Sequence, residues 1–166
     1  MDDKTDLILI GMPGAGKSTV GVLLAKHLGA DFLDTDILLQ TGEKGLLQEI
    51  IGRHGIDGFR RIEQRYMLAI RPDCGVVATG GSAVYSHKAM MHLKSLGPVV
   101  HLGIGLASLT RRLGNLDERG VVRMPGQTIG MLYEQRRPLY EKYADIVVAC
   151  DRMTPDQVVS AVLRQI

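Results

Sequence analysis

Short apolar runs alternate with longer amphipathic stretches along this 166-residue chain. Runs bounded by turn residues are typical of strands buried on both faces of a parallel sheet. They occupy residues 7–10, 75–79, 98–102 and 144–150, and a shorter run at residues 32–33 predicts one more strand. Helical spacing follows at residues 19–28, 85–96, 107–113 and 127–143, and Thr154-Pro155 starts a last helix. This order predicts an α/β fold of three layers, with a central parallel sheet of about five strands flanked by helices.

Two segments of the predicted domain, which spans residues 1–166, are less regular. Glycines interrupt the helical pattern of residues 37–58, and a steadier helix is predicted over residues 59–70. We expect residues 37–58 to move as a unit, because glycine lowers helix rigidity, and we expect the substrate-binding segment at about residues 37–63. Residues 113–126 are polar, contain glycine and hold Arg119 and Arg123 between two helices. They predict a mobile lid that delivers a cation.

A glycine-rich loop follows the first strand. Residues 11–18 fit the pattern G-x-x-x-x-G-K-[ST], between a strand and a helix as the motif requires. Its backbone N–H groups and the helix N-terminus favour a bound phosphate. Lys17 can reach the β- and γ-phosphates of a nucleotide, and the Ser18 hydroxyl can bind Mg²⁺. The sequence therefore predicts a nucleoside triphosphate site.

Polar and glycine residues follow two other predicted strands. Asp34 and Asp36 come after residues 32–33, and Gly80 and Gly81 come after residues 75–79. Ligands of open α/β sheets bind at the carboxyl ends of the strands, so these residues are expected beside the phosphate loop. On an extended chain the two aspartates would point the same way. A helix N-cap for the aspartates and a tight turn for the glycines stay open as alternatives.

Composition narrows the function classes. A net charge of +2 and an aromatic content of 4% give little support for nucleic-acid binding. No apolar run approaches the length of a membrane span, and the acidic N-terminus does not resemble a signal peptide. Cys74 and Cys150 lack metal-ligand spacing. We therefore expect a cytoplasmic monomer with a small-molecule substrate, without a nucleic-acid or membrane partner.

The ordered motifs resemble the shikimate kinase family, in the nucleoside-monophosphate-kinase branch of phosphate-loop proteins. The resemblance covers nearly the whole chain and rests on the loop at residues 11–19, Phe32-x-Asp34-x-Asp36, Phe59-Arg60-x-x-Glu63, Ala78-Thr79-Gly80-Gly81, Arg119, and Arg136-x-Pro138-Leu139-Tyr140. It implies a P-loop kinase fold with a mobile lid, and transfer of the ATP γ-phosphate to the 3-hydroxyl of shikimate in aromatic amino acid biosynthesis.

The resemblance also implies roles for individual residues. Lys17, Asp36 and Arg119 would be catalytic, with Asp36 accepting a hydrogen bond from the attacking hydroxyl. Ser18 and Asp34 would hold Mg²⁺, and Glu63 would orient Arg60. ATP would contact Gly14, Ala15, Gly16, Lys17, Ser18, Thr19, Arg112, Arg119 and Pro155, the last flanking adenine with Arg112. Shikimate would contact Asp36, Arg60, Gly80, Gly81 and Arg136; from the sequence, Arg137 is an alternative to Arg136.

Two departures from the family pattern concern the acceptor. Ser82 stands where the family usually has a third glycine, and Gly120-Val121-Val122 follow Arg119 instead of Pro-Leu-Leu. A kinase of another small hydroxylated acid, gluconate-like or homoserine-like, is therefore an alternative. A non-catalytic ATP-binding module is a further one, although Asp36 and Arg119 are both present.

Overall fold

A computed structural model of the chain describes residues 6–113 and 121–166. Five strands form one parallel sheet in the order β2-β3-β1-β4-β5. Their bounds are Leu7–Ile10 (β1), Phe32–Asp34 (β2), Val76–Ala78 (β3), Val99–Gly103 (β4) and Ile146–Ala149 (β5). All residues of β1 and β3 are buried, as their apolar runs predict. The predicted parallel sheet is confirmed.

Helices connect the strands. In the part of the chain that the structure describes they are Lys17–Leu28 (α1), Thr35–Glu43 (α2), Leu47–Leu68 (α3), His87–Leu96 (α4), Leu106–Leu113 (α5), Ile129–Tyr143 (α6) and Pro155–Leu163 (α7). A turn of 3₁₀ helix covers Ala83–Tyr85. The sheet flanked by helices confirms the predicted α/β fold. None of these helices combines the length and apolarity that crossing a bilayer requires.

α3 consists of two helical stretches separated by a break at Gly55, where φ is 68° and ψ is 176°. Glycine reaches this backbone conformation at little cost, and the break agrees with the predicted interruption of the helical pattern of residues 37–58 by glycines. The second stretch, which ends at Leu68, corresponds to the predicted helix at residues 59–70. Pro138 lies inside α6.

The core has two parts. The larger cluster surrounds the sheet, and a smaller one consists of Leu39, Ile50, Phe59 and Val122. The smaller cluster joins α2 and α3 to the chain just after residue 120. A separate apolar cluster is compatible with movement of residues 37–58 as a unit, which stays a prediction.

The sheet order positions the site. Because β3 lies between β1 and β2, the carboxyl ends of these three parallel strands are neighbours. Leu9 and Asp34 both pair with Ala78. The loop after β1, the start of α2 and the Thr79-Gly80-Gly81 segment therefore meet at one edge, as ligand sites of such sheets do.

Candidate active site

The phosphate loop has the backbone that its glycines predict. Gly14 and Gly16 have φ values of 80° and 98°, a region that other residues rarely adopt. The Lys17 ammonium donates to the carbonyl oxygens of Gly11 (2.7 Å) and Met12 (2.9 Å). No side chain caps the N-terminus of α1, so its first N–H groups remain available to an anion.

Lys17 is buried, and desolvation lowers its pKa to about 8. The Asp36 carboxylate opposes this shift, and the Arg136 guanidinium adds to it. Both groups therefore lie within electrostatic reach of the Lys17 ammonium. The phosphate loop is thus electrostatically coupled to Asp36 of α2 and to Arg136 of α6.

Asp34 has two roles in the structure. Its Oδ1 accepts hydrogen bonds from the N–H groups of Asp36 (2.9 Å) and Ile37 (3.3 Å), which makes it the N-cap of α2. Its Oδ2 accepts a 2.6 Å hydrogen bond from the Ser18 hydroxyl. The cap alternative is thus correct, and the same carboxylate also contacts the residue expected to bind Mg²⁺.

Asp36 lies in the first turn of α2 and lines the main cavity. The expectation of an extended chain through Asp34 and Asp36 is wrong, because Asp34 caps a helix that begins at Thr35. Burial, and then the neighbouring Asp34 carboxylate, raise the pKa of Asp36 to about 6, although Lys17 opposes the shift. A carboxylate with a raised pKa is better matched to accepting a hydroxyl proton.

Glu63 does not contact its expected partner. Its Oε2 accepts a 2.6 Å hydrogen bond from the buried Ser82 hydroxyl. No ion pair joins Glu63 to Arg60 within residues 6–113 and 121–166. The expected direct contact between Glu63 and Arg60 is therefore not found among the described residues, although the Arg60 charge still lies within electrostatic reach of Glu63. Burial also raises the pKa of Glu63 to about 7, with the Ser82 hydrogen bond opposing the shift.

A side chain at Gly80 or Gly81 would be too close to neighbouring atoms. A Cβ on Gly80 would lie 2.6 Å from Glu63 Oε1 and 2.7 Å from Asp36 Oδ1. A Cβ on Gly81 would lie 2.7 Å from Pro13 Cδ and 3.0 Å from an Arg136 nitrogen. The glycines thus allow close approach of three loops.

The backbone of these glycines is held by two hydroxyls. The Thr35 hydroxyl accepts from Gly80 N–H at 3.0 Å, and the Tyr140 hydroxyl donates to Gly81 O at 2.6 Å. Tyr140 belongs to a motif of the family resemblance, but the sequence patterns assign no role to either Tyr140 or Thr35, because these contacts join segments that lie far apart in the chain.

The structure answers which neighbouring arginine faces the cavity. Arg136 is 1% exposed, lines the cavity, and donates to the carbonyl oxygen of Val122. Arg137 is exposed and lies 3.8 Å from both Glu134 and Glu141. Arg136 therefore matches the predicted contact residue, and Arg137 belongs to the outer face of α6.

Arg60 lies beside the main cavity instead of lining it. It lines an adjoining space of about 230 Å³ with Ser82 and Tyr85. Its guanidinium carbon is 4.0 Å from the centre of the Tyr85 ring. Tyr85 was absent from the sequence interpretation, since no motif includes it.

One cavity of about 630 Å³ unites most of the predicted residues. Its lining includes Gly14, Gly16, Lys17, Ser18, Thr19, Asp36, Gly80, Gly81, Arg112 and Arg136. Leu47, Phe59, Val121 and Val122 give it an apolar side. A second cavity, of about 220 Å³, is lined by Ala15, Gly16, Thr19, Arg112, Met153 and Pro155, among others. The predicted adenine residues Arg112 and Pro155 thus meet beyond the phosphate loop, whereas Arg119 lies outside the described residues.

Comparisons with known proteins agree with this arrangement. A sequence model described as shikimate kinase matches residues 13–166. A shikimate kinase of Sulfurihydrogenibium is 35% identical, with 97% of each chain covered. One of Pseudomonas entomophila is 39% identical, with 97% of this chain and 95% of the relative covered.

Solved structures give the same result. A shikimate kinase of Acinetobacter baumannii, in complex with shikimate, has a TM-score of 0.87 and 28% identity, covering 97% of this chain and 92% of that one. The enzyme of Aquifex aeolicus has a TM-score of 0.82 and 32% identity, covering 96% and 94%. On its sequence and on its P-loop kinase fold, the chain belongs to the shikimate kinase family.

Proposed function

We propose that the chain transfers the γ-phosphoryl group of ATP to the 3-hydroxyl of shikimate. The observation that carries the proposal is one cavity that joins Lys17 of the phosphate loop, Asp36 and Arg136. Phosphoryl transfer depends on positioning and charge neutralisation, and these residues supply both. Shikimate bound to a structural relative supports this acceptor.

Residues of the loop and α1 hold the donor. Gly14, Gly16 and the start of α1 offer N–H groups to the phosphates, and Lys17 leaves the Gly11 and Met12 carbonyls for the β- and γ-phosphates. Arg112 and Pro155 flank the adenine, in the second cavity. Arg119, which lies outside the described residues, would neutralise charge on the transferring group.

Ser18 and Asp34 fit Mg²⁺. Their oxygen atoms lie 2.6 Å apart, and oxygen ligands are those that Mg²⁺ prefers. The described residues contain no cluster of three or more acidic, histidine or cysteine side chains that could enclose a metal. This favours an ion held by one or two protein oxygens together with phosphate oxygens. When bound, Mg²⁺ neutralises developing charge between the β- and γ-phosphates.

Asp36 and the arginines hold the acceptor. The Asp36 carboxylate accepts the hydrogen bond of the 3-hydroxyl and takes its proton as the hydroxyl oxygen bonds to the γ-phosphorus. The bond from that phosphorus to the bridging oxygen breaks, and ADP leaves with the electron pair. Arg136 and Arg60 bind the acceptor carboxylate, and Gly81 N–H binds a hydroxyl.

ADP release tests the proposal, with Mg-ATP and shikimate beside gluconate, homoserine and nucleoside monophosphates. We expect turnover on shikimate that falls about 10²- to 10⁴-fold in Asp36→Asn. Asp31→Asn, an exposed aspartate, is the matched control and keeps its activity. Activity restricted to gluconate or homoserine would show that shikimate is not the acceptor. ATP binding without turnover on any acceptor would favour the non-catalytic alternative.

A further inference from the structure

Tyr85 contacts both arginines of the acceptor site. The guanidinium carbons of Arg60 and Arg136 lie 4.0 Å and 5.3 Å from the centre of its ring. Arg136 Nε also donates to the Tyr85 hydroxyl at 3.3 Å, and that hydroxyl donates to Gln135 Oε1 at 3.0 Å. One side chain, at the end of the turn that follows Gly81, therefore links two cations from α3 and α6.

Arg60 makes no hydrogen bond or ion pair in the part of the chain that the structure describes, although the Glu63 charge lies within electrostatic reach. Its Nε is buried and makes no hydrogen bond there. The nearby Glu63 carboxylate accepts from Ser82 instead. The Tyr85 ring is thus the group that fixes the direction of Arg60.

An aromatic ring holds a guanidinium differently from a carboxylate. The face of the ring attracts the cation but neither neutralises its charge nor occupies its N–H donors. A carboxylate would do both, and would compete with a carboxylate of a ligand. Arg60 beside the Tyr85 ring therefore keeps its terminal N–H groups free of a protein acceptor, next to a second cation that Tyr85 also contacts.

We infer that Tyr85 is a positioning residue for the acceptor carboxylate. Its ring contacts the Arg60 guanidinium, and its hydroxyl accepts a hydrogen bond from Arg136. This inference rests on the proposed function in one respect, that the acceptor is an acid. Ser82, from the same turn, assists by binding Glu63. The turn that begins where the sequence departs from the usual third glycine thus supplies the Ser82 contact to Glu63 and the Tyr85 contacts to both arginines.

The test compares shikimate with its neutral methyl ester in the wild type, Tyr85→Phe and Tyr85→Leu. For Tyr85→Leu we expect KM for shikimate to rise roughly tenfold, the size of a desolvated cation–π contact. KM for ATP and KM for the ester stay unchanged, so the preference for acid over ester falls by the same factor. Tyr85→Phe keeps the ring and loses the bond to Arg136, so its change is smaller.

Tyr133→Leu is the matched control, because it also removes a partly buried ring from the core edge but, among the described residues, its ring makes no cation–π contact with either arginine. It keeps the wild-type preference for the acid. Equal losses on acid and ester in Tyr85→Leu, or an unchanged preference, would overturn the inference and leave Tyr85 a packing residue.

A second measurement does not depend on turnover. A guanidinium above a tyrosine ring shows a ring-current shift of its Nε–H resonance. We expect this shift for Arg60 in the wild type and in Tyr85→Phe, and its loss in Tyr85→Leu. An unshifted wild-type resonance would overturn the inference. If the wild type shows the shift but does not phosphorylate shikimate, the proposed function fails while the positioning of Arg60 stands.

Discussion

The Ser82 hydroxyl donates a 2.6 Å hydrogen bond to Glu63 Oε2, and both side chains are buried at 3% exposure. Ser82 occupies the place of a family glycine, where a side chain could have crowded the acceptor. In the structure Ser82 lines the main cavity, and its hydroxyl is bonded to Glu63. The other oxygen of the carboxylate, Oε1, is buried without a partner in the described part of the chain.

Ser82→Ala is expected to lower stability in a pH-dependent way. The folded-state pKa of Glu63, about 7, lies above its ordinary value of 4.5, so stability is fully present below pH 4.5 and is lost as pH rises through 7. The Ser82 hydrogen bond reduces this loss. Its removal should therefore cost little at pH 5 and about 1–3 kcal/mol at pH 8.

Urea unfolding of both proteins at pH 5 and pH 8 measures the effect, because other titrating groups cancel in the difference. Ser86→Ala, which also removes a hydroxyl that bonds a side chain, is the control and should show no such pH dependence. A penalty that is equal at the two pH values would contradict the role assigned to Glu63.

How far the sequence predicts this site depends on the distance of each contact along the chain. The phosphate loop and the strands could be predicted, since their signals are local. The partners of Ser82, Gly80 and Arg136 could not, because these bonds span 19, 45 and 51 residues respectively. The family resemblance implied that Glu63 orients Arg60, but in the structure Glu63 bonds Ser82 and the Arg60 guanidinium lies over the Tyr85 ring.

Asp34→Asn separates the two roles of this residue. Asparagine caps helices about as well as aspartate, so α2 should keep its N-terminus and unfolding free energy should change by less than about 0.5 kcal/mol. The charge beside Ser18 is lost, so the Mg²⁺ concentration for half-maximal activity should rise at least about tenfold. Asp34→Ala should also lose about 1 kcal/mol of stability. An unchanged Mg²⁺ requirement in Asp34→Asn would restrict the residue to capping.

Gly80→Ala should damage the acceptor site more than the fold. The new methyl group would meet Glu63 Oε1 at 2.6 Å and Asp36 Oδ1 at 2.7 Å, which forces both carboxylates to move. We expect a stability loss of about 1–3 kcal/mol and a fall in kcat of roughly 10²-fold, as small misplacements near the chemistry produce. Gly52→Ala is the control, because its methyl group meets no atom within 4 Å. Steady-state kinetics with calorimetric melting checks both parts, and wild-type kcat in Gly80→Ala would refute them.

Lys17→Met should lose activity without losing stability. The pKa of Lys17, about 8, lies below its ordinary value of 10.5, so its stabilising contribution is present above pH 10.5 and is lost as pH falls through 8. At pH 7 the buried charge therefore costs stability, and its removal should leave the free energy of unfolding equal or higher. The same charge is needed at the phosphates, so kcat should fall at least about 100-fold.

Lys26→Met, an exposed lysine on the same helix, should leave both quantities unchanged. Thermal unfolding at pH 7 and ADP release measure the two effects on the same preparations. Loss of stability in Lys17→Met that accounts for the lost activity would mean that Lys17 holds the loop through Gly11 and Met12 and is not kept for the nucleotide. If Lys17→Met keeps its stability but loses its activity, then the burial of Lys17 destabilises the protein without nucleotide and serves phosphate binding.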